Sequence, residues 1–149
     1  MKNLMIACAV ALPALLGCQQ KPDEVAMAEC WNDAAKSQLA RMAKQNIADK
    51  IGILLKAGGE TVDADMKGRI DASLEVSASN FYVESIDRVS DSVHCGAQVA
   101  MKYTKEGGKV LSAEGAFVDF NIYRGEGGKM YSIPSTLPLA QLVSDATGS

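Results

Sequence analysis

The sequence predicts an α+β fold, in which a long N-terminal helix packs on a four-stranded antiparallel meander sheet. Two observations support this prediction. Residues 25–56 contain no proline and place apolar side chains three or four residues apart, whereas the second half repeats one glycine turn between segments rich in Val, Ile, Phe and Tyr. The first spacing is that of an amphipathic helix, and glycine turns between β-branched and aromatic segments are typical of hairpins. The helix therefore precedes the sheet.

The N-terminal helix is predicted from its apolar positions, which are Trp31, Ala35, Leu39, Met42, Ile47, Ile51, Leu54 and Leu55. A straight helix of about 30 residues would be about 45 Å long, which exceeds a compact domain of this size. We therefore expect a bend near Asn46 or Gly52. The helix should end at Gly58–Gly59, because glycine commonly terminates helices. Residues 63–74 fit either a short helix capped by Asp63 or the approach to a strand, and we favour the helix.

The glycine turn occurs twice, as Glu106-Gly107-Gly108-Lys109 and again as Glu126-Gly127-Gly128-Lys129. A Gly-Gly pair meets the positive φ that a two-residue type I′ turn requires. A phosphate-binding loop is disfavoured, because neither copy has the Gly-Lys-Ser/Thr ending of such loops. Both copies are therefore predicted to be hairpin tips.

Pairing Glu106 with Lys109 fixes a register between the flanking strands, and side-chain character can test it. The pairs on one face are all apolar: Val93–Ile122, Cys95–Phe120, Ala97–Val118 and Val99–Ala116. The alternating residues are polar and should point to the opposite face: Ser92, His94, Gln98 and Lys102. This pattern is typical of an antiparallel sheet with one buried side.

Two further strands complete the predicted meander. The second tip would set Ile122 opposite Ile133, and a strand over residues 80–89 would return through residues 90–92. Two sets of residues could form the inward face of that strand. One set is Phe81, Val83 and Val89, and the other is Tyr82 and Ile86. Prolines end the last strand, so residues 137–143 should form a packed tail or a short helix.

The N-terminus has the form of a secretion signal. Lys2 precedes a short apolar stretch that ends in Leu15-Leu16-Gly17-Cys18, and polar residues follow directly. The stretch is too short for a membrane-spanning helix and suits a cleaved signal peptide. Its last four residues resemble the lipobox of bacterial lipoproteins.

This resemblance implies three segments: a signal peptide over residues 1–17, a lipidated tether over 18–24, and a single periplasmic α+β domain over 25–149. Cys18 would become the first residue and carry a diacylglyceryl thioether and an N-acyl chain, which would anchor the protein in the membrane. Because Gln19 follows the cysteine, the resemblance also implies sorting to the periplasmic face of the outer membrane of a Gram-negative cell.

Two cysteines, Cys30 and Cys95, remain once the signal peptide is removed and Cys18 is acylated. In an oxidising compartment two such thiols usually pair, so a disulfide is predicted. It would close a loop of about 66 residues and contribute roughly 4 kcal/mol to stability. The bond would join the helix to the inward face of the sheet. The resulting outline is similar to cystatin-like and NTF2-like folds in its order of elements.

Composition and motifs narrow the classes of function. The formal net charge is −3, and it becomes −4 without the signal peptide, whose only charged residue is Lys2. No basic patch is visible, so nucleic acid is not an expected partner. His94 is the only histidine and lacks a carboxylate–serine constellation, while Asp63 and Asp65 lack the other ligands of a calcium loop. We expect no enzyme activity, catalytic residue, metal or cofactor, and we expect Trp31 in the core.

Protein binding is the function that these observations favour. The candidate contacts are the tip glycines and the polar sheet face, namely Gly107, Gly108, Gly127, Gly128, His94, Gln98 and Lys102. We expect an inhibitor or immunity protein that acts against a secreted, envelope-targeting effector. Two alternatives stay open: an accessory subunit of an envelope or secretion complex, and a small-ligand-binding domain with a pocket between helix and sheet.

Overall fold

A computed structural model describes residues 22–148 and shows the α+β fold that the sequence predicts. The elements are, in chain order, α1 (Pro22–Trp31), α2 (Asp33–Ala57), α3 (Ala64–Ser73), β1 (Leu74–Asp87), β2 (Ser92–Thr104), β3 (Val110–Gly125), β4 (Gly128–Ser132) and α4 (Leu137–Thr147). The strands form one antiparallel sheet in the order β1-β2-β3-β4, which confirms the meander.

The predicted signal peptide, Cys18 and most of the tether lie outside the described residues. Within residues 22–148, no helix is both long and apolar enough to cross a membrane.

The N-terminal helix is interrupted at Asn32 and is continuous through Asn46 and Gly52, where we expected a bend. Asn32 has an extended backbone with φ −69° and ψ 158°, and its side chain accepts a hydrogen bond of 2.7 Å from the Ala35 amide. Asparagine is among the best residues for capping a helix N-terminus, and this local bond starts a new helix. The second helix, α2, then continues through both positions where we expected the bend.

Capping residues also define the next two boundaries. The α2 helix ends at Gly58, as expected, and Gly59 adopts a φ of +91°. The Asp63 side chain accepts a hydrogen bond of 2.8 Å from the Met66 amide and caps α3, which confirms the helical alternative for this segment. β1 begins at Leu74, immediately after α3 and six residues before the predicted start at residue 80.

The register between β2 and β3 is confirmed for all four apolar pairs, but the first tip is not a two-residue turn. The Lys105 amide donates to the Lys109 carbonyl at 2.8 Å, so the loop is Glu106-Gly107-Gly108 and the predicted pairing of Glu106 with Lys109 is wrong. Gly107 and Gly108 both have positive φ, which permits this three-residue loop. A bulge over residues 114–115, opposite Ala100, absorbs the one-residue difference.

The second tip is a hairpin, as predicted, but its register differs by two residues. Gly125 pairs with Gly128, and Ile122 faces Tyr131 rather than Ile133. The glycine pair is divided, since Gly127 lies in the loop and Gly128, with φ +112°, begins β4. A two-residue shift keeps each side chain on its face of the sheet, so the predicted inward orientation of Ile122 is unaffected.

The core lies between one face of the sheet and the helices. Its fully buried side chains with the largest volumes include Phe120, Leu39, Ile47, Ile70, Ile122, Leu139, Leu142 and Val99. Phe120 and Phe81 pack edge to face with their ring centroids 6.1 Å apart. The C-terminal tail is the helix α4, which extends past residue 143 and buries Leu139, Leu142 and Val143.

The inward face of β1 combines residues from both predicted sets, because two bulges shift its alternation. Phe81, Val83 and Ile86 are half-buried against the core, whereas Tyr82 points outward and Val89 is fully exposed in the following turn. In the first bulge, residues 80 and 81 lie opposite a single β2 residue. In the second bulge, residue 84 has no partner in β2. Each predicted set assumed strict alternation along the strand, so neither matches the observed inward face.

The predicted positions of Trp31 and Ser92 are both wrong. Trp31 is 46% exposed rather than in the core, and its indole Nε1 donates to the Phe81 carbonyl at 2.8 Å. The first β1 bulge frees that carbonyl, and Trp31 satisfies it from the end of α1. Ser92, expected on the solvent side, is buried, with its hydroxyl 2.8 Å from that of Ser90.

The predicted disulfide is present and joins Cys30 of α1 to Cys95 of β2, with Cα atoms 5.7 Å apart. Both residues are fully buried. The bond fixes the short helix α1 to the same sheet face that α2 and α4 cover.

Candidate functional site

The sheet has one helix-covered face and one face that no described helix covers, which we call the open face. The alternation of buried and exposed residues along β2 and β3 distinguishes the two. The open face comprises Glu75, Ser77, Ser79 and Tyr82 of β1, His94, Gly96, Gln98, Ala100 and Lys102 of β2, and Ser112, Phe117, Asp119 and Asn121 of β3. Its strands are fixed by the core behind them, so its side chains project from a rigid surface.

Tyr82 lies across the centre of the open face. A Cβ atom added to Gly96 would lie less than 3.0 Å from three atoms of the Tyr82 side chain, so the ring occupies the space above this glycine. The Tyr82 hydroxyl is 3.4 Å from a carboxylate oxygen of Asp119, which pairs with Gly96 in the register. Burial raises the pKa of Tyr82, and the negative charges of Asp119 and Glu84 raise it further.

Phe117 and a polar pair lie next to Tyr82. Phe117 is 59% exposed and lies directly opposite Gln98, whose side-chain oxygen accepts a hydrogen bond from the Asn80 amide. Asn80 adopts a φ of +50° in the first β1 bulge, a conformation that asparagine tolerates better than most residues. An exposed aromatic ring therefore adjoins an ordered amide pair.

The charges near the centre of this face are mostly acidic. Glu84 and Asp119 act electrostatically on Tyr82, and Glu114 projects from the β3 bulge beside Gln98. Lys102 lies nearer the edge of the face and is 3.9 Å from Glu75, so a carboxylate already accompanies its charge. The centre of the open face thus carries negative charge beside aromatic surface.

The predicted contacts His94, Gln98 and Lys102 do share this face, but they spread along it. Successive members are four residues apart on β2, which corresponds to about 13 Å per interval. Gln98 is central and hydrogen-bonded, Lys102 is exposed, and His94 is half-buried opposite Asn121.

The structure places the two glycine tips at opposite ends of the sheet, separated by the 16 residues of β3, or about 50 Å. Each tip is also tied to a helix. Glu106 of the first tip pairs with Arg69 of α3 at 2.9 Å. Lys129 of the second tip pairs with Glu29 of α1, which also holds Arg124 at 3.2 Å. One contact of ordinary size therefore does not include both tips.

No sequence-based prediction placed Tyr82, Phe117, Asn80 or Asp119 in the site. A signal for Phe117 was available, because the predicted register already places it opposite Gln98 on the polar face. No comparable signal existed for Tyr82, since the two bulges that turn it outward leave no mark in the alternation of β1.

The described part of the chain contains no group of three or more His, Cys, Asp or Glu side chains that could hold a metal ion. Comparisons with protein families, with curated proteins and with solved structures found no match for this chain. The geometry and chemistry of the open face are therefore the features that bear on function.

Replacing Gly96 by alanine is expected to displace the Tyr82 ring and to lower the free energy of unfolding by about 1 to 3 kcal/mol, because the new methyl group overlaps the ring. In a Tyr82→Ala background the same replacement should change stability by less than about 0.5 kcal/mol. Urea unfolding of the four proteins measures both effects. An equal loss in the two backgrounds would show that the ring is not what requires glycine here.

Proposed function

We propose that this protein is a lipid-anchored, protein-binding module of the bacterial envelope, and that it inhibits a secreted effector by binding it through the open face. The observation that carries the proposal is the exposure of Phe117 beside Tyr82 on a rigid, uncovered sheet face. In this reading the effector attacks the cell envelope, and the protein acts as its inhibitor or immunity protein.

The side-chain chemistry of the open face supports a protein partner. Aromatic residues are enriched in protein–protein interfaces, where a few of them supply much of the binding energy. Here Phe117 would enter the partner, while the polar side chains of Asn80 and Gln98 would form hydrogen bonds around it. Because these groups belong to a sheet backed by the core, little conformational entropy is lost when they bind.

The negative charge of the open face indicates the character of the partner surface. Glu84, Glu114 and Asp119 would favour a surface rich in lysine or arginine, since complementary charge accelerates association and excludes wrong partners. The association rate should therefore fall as salt concentration rises.

The lipid anchor is tested at Cys18. We expect a clickable fatty acid to label the wild-type protein in cells and to leave Cys18→Ser unlabelled, because the thioether cannot form on a serine. Fractionation should place the labelled protein in the outer membrane. Undiminished label in Cys18→Ser would contradict lipidation at this residue without bearing on the open face.

Affinity capture with matched variants tests the binding function. Phe117→Ser removes the exposed ring of the open face, whereas Ile53→Ser removes an apolar side chain of equal exposure, 60%, from α2. A protein retained by wild type and Ile53→Ser but lost with Phe117→Ser is the expected partner. If its hydrolytic activity falls on binding, the inhibitor role is supported. Recovery of a multi-protein envelope complex with no change in activity would instead favour an accessory subunit, and equal capture by all three would exclude Phe117.

A further inference from the structure

A cleft of about 210 Å³ opens on the helix-covered side of the sheet, near the first hairpin tip. Its walls include residues of four elements, namely Leu54 of α2, Met101 of β2, Leu111 of β3 and Val143 of α4. The cleft therefore adjoins the core and is separate from the open face. A second cleft of about 230 Å³ adjoins it, and the two share Leu55, Tyr103 and Lys105.

Tyr103 is the main polar group between these clefts. It is only 8% exposed, yet its hydroxyl has no hydrogen-bond partner among residues 22–148. Every fully enclosed side-chain polar atom in the described residues has a hydrogen-bond partner. Because the Tyr103 hydroxyl has none, it is not fully enclosed and reaches the open space of the clefts. The hydroxyl is therefore accessible from the clefts and can form a hydrogen bond with a ligand that enters them.

Lys105 supplies a positive charge at the rim of both clefts. It directly follows β2, two residues beyond Tyr103, and both residues line both clefts. The second cleft is also lined by Glu60, by Glu106 and by Arg69, which pairs with Glu106 at 2.9 Å. Lys105 has no ion pair within the described chain, and it is the one charged residue among the described residues that line the first cleft. An apolar wall, a free hydroxyl and a free ammonium group thus converge at one opening.

We propose that this cleft binds a single-chain amphiphile with an anionic head group, of the fatty-acid class. The chain would lie against Leu54, Met101 and Val143, and the head group would accept a hydrogen bond from the Tyr103 hydroxyl and pair with Lys105. A cleft of about 210 Å³ is smaller than the roughly 300–1,000 Å³ typical of sites for larger ligands, which favours one chain of medium length over a two-chain lipid. The proposal is independent of the protein partner of the open face.

Titration with defined amphiphiles tests this proposal on the folded, unlipidated domain. Decanoate, decanol and a short-chain lysophosphatidylglycerol are added below their micelle concentrations, and binding is followed by calorimetry and by the NMR signals of the Met101 and Val143 methyl groups. Saturable binding of decanoate with shifts at both methyl groups is expected, with decanol weaker. Tighter binding of the lysophospholipid than of decanoate would identify a phospholipid rather than a free fatty acid as the source of the chain.

Two variants separate head-group recognition from apolar adsorption. Lys105→Gln and Tyr103→Phe should each weaken decanoate binding about three- to ten-fold, and Lys105→Gln should leave decanol binding unchanged because decanol carries no charge. Lys109→Gln, at the other side of the same tip and outside the cleft lining, is the control and should bind decanoate as wild type does. Absence of saturable decanoate binding to wild type, or equal binding by wild type, both variants and the control, would overturn the proposal.

Discussion

Replacing Cys30 and Cys95 together by alanine is expected to lower the free energy of unfolding by about 2 to 5 kcal/mol. The bond spans 65 residues, so its removal releases a large loop in the unfolded chain. Both cysteines are also fully buried, and the double replacement leaves space in the core beside Phe120, which pairs with Cys95 in the register. The loss is a large fraction of the stability of a typical domain.

The structural consequence should be concentrated in α1. The break at Asn32 separates this 10-residue helix from α2, so without the disulfide its attachment depends on packing, on the Trp31 bond to Phe81 and on the ion pairs of Glu29. Urea unfolding measures the free energy, and hydrogen exchange shows whether α1 opens before α2. Wild type in reductant should behave as the double variant does. A double variant within about 1 kcal/mol of wild type would contradict this account of the bond.

Phe117→Ala is expected to weaken binding of the captured partner by at least about 2 kcal/mol, or roughly thirty-fold in Kd. The ring is exposed in the free protein, so its truncation should change the free energy of unfolding by no more than about 0.5 kcal/mol. Calorimetry on the purified pair measures the affinity. Val110→Ala is a matched control, because Val110 is an exposed apolar residue of the same strand and pairs with Thr104 near the first tip, away from Phe117.

Two results of this comparison would be inconsistent with the proposal. A wild-type affinity for Phe117→Ala would remove the ring from the interface. An equal loss in Val110→Ala would show that the effect is a general response to reduced apolar surface. Loss confined to Phe117→Ala, at unchanged stability, places the centre of binding where aromatic and acidic groups adjoin.

The elements predicted best from sequence are those in which local chemistry and periodicity agree. Strong alternation through β2 and β3 gave the four apolar pairs and the Cys95–Phe120 neighbourhood correctly. The disulfide followed from the cysteine count, and the Asp63 cap from a residue type that favours helix starts. In these cases one pattern alone determines the local structure.

The errors occur where one inserted residue changes the register. The three-residue loop at the first tip required a compensating bulge at Gly115, and periodicity cannot reveal an insertion that tertiary contacts stabilise. Likewise, the β1 bulges turned Tyr82 outward and freed the carbonyl that Trp31 binds. The centre of the candidate site depends on these bulges, which explains why sequence reasoning found Gln98 but missed Tyr82.

Site-specific photo-crosslinking in cells shows which face of the domain contacts a partner. A photoreactive phenylalanine derivative is placed at Phe117 of the open face and, in a separate protein, at Ile53 of α2, since the two positions are almost equally exposed. We expect a discrete crosslinked protein from position 117 and none from position 53. The same discrete product from position 53, with none from position 117, would contradict it and assign binding to the helical side of the domain.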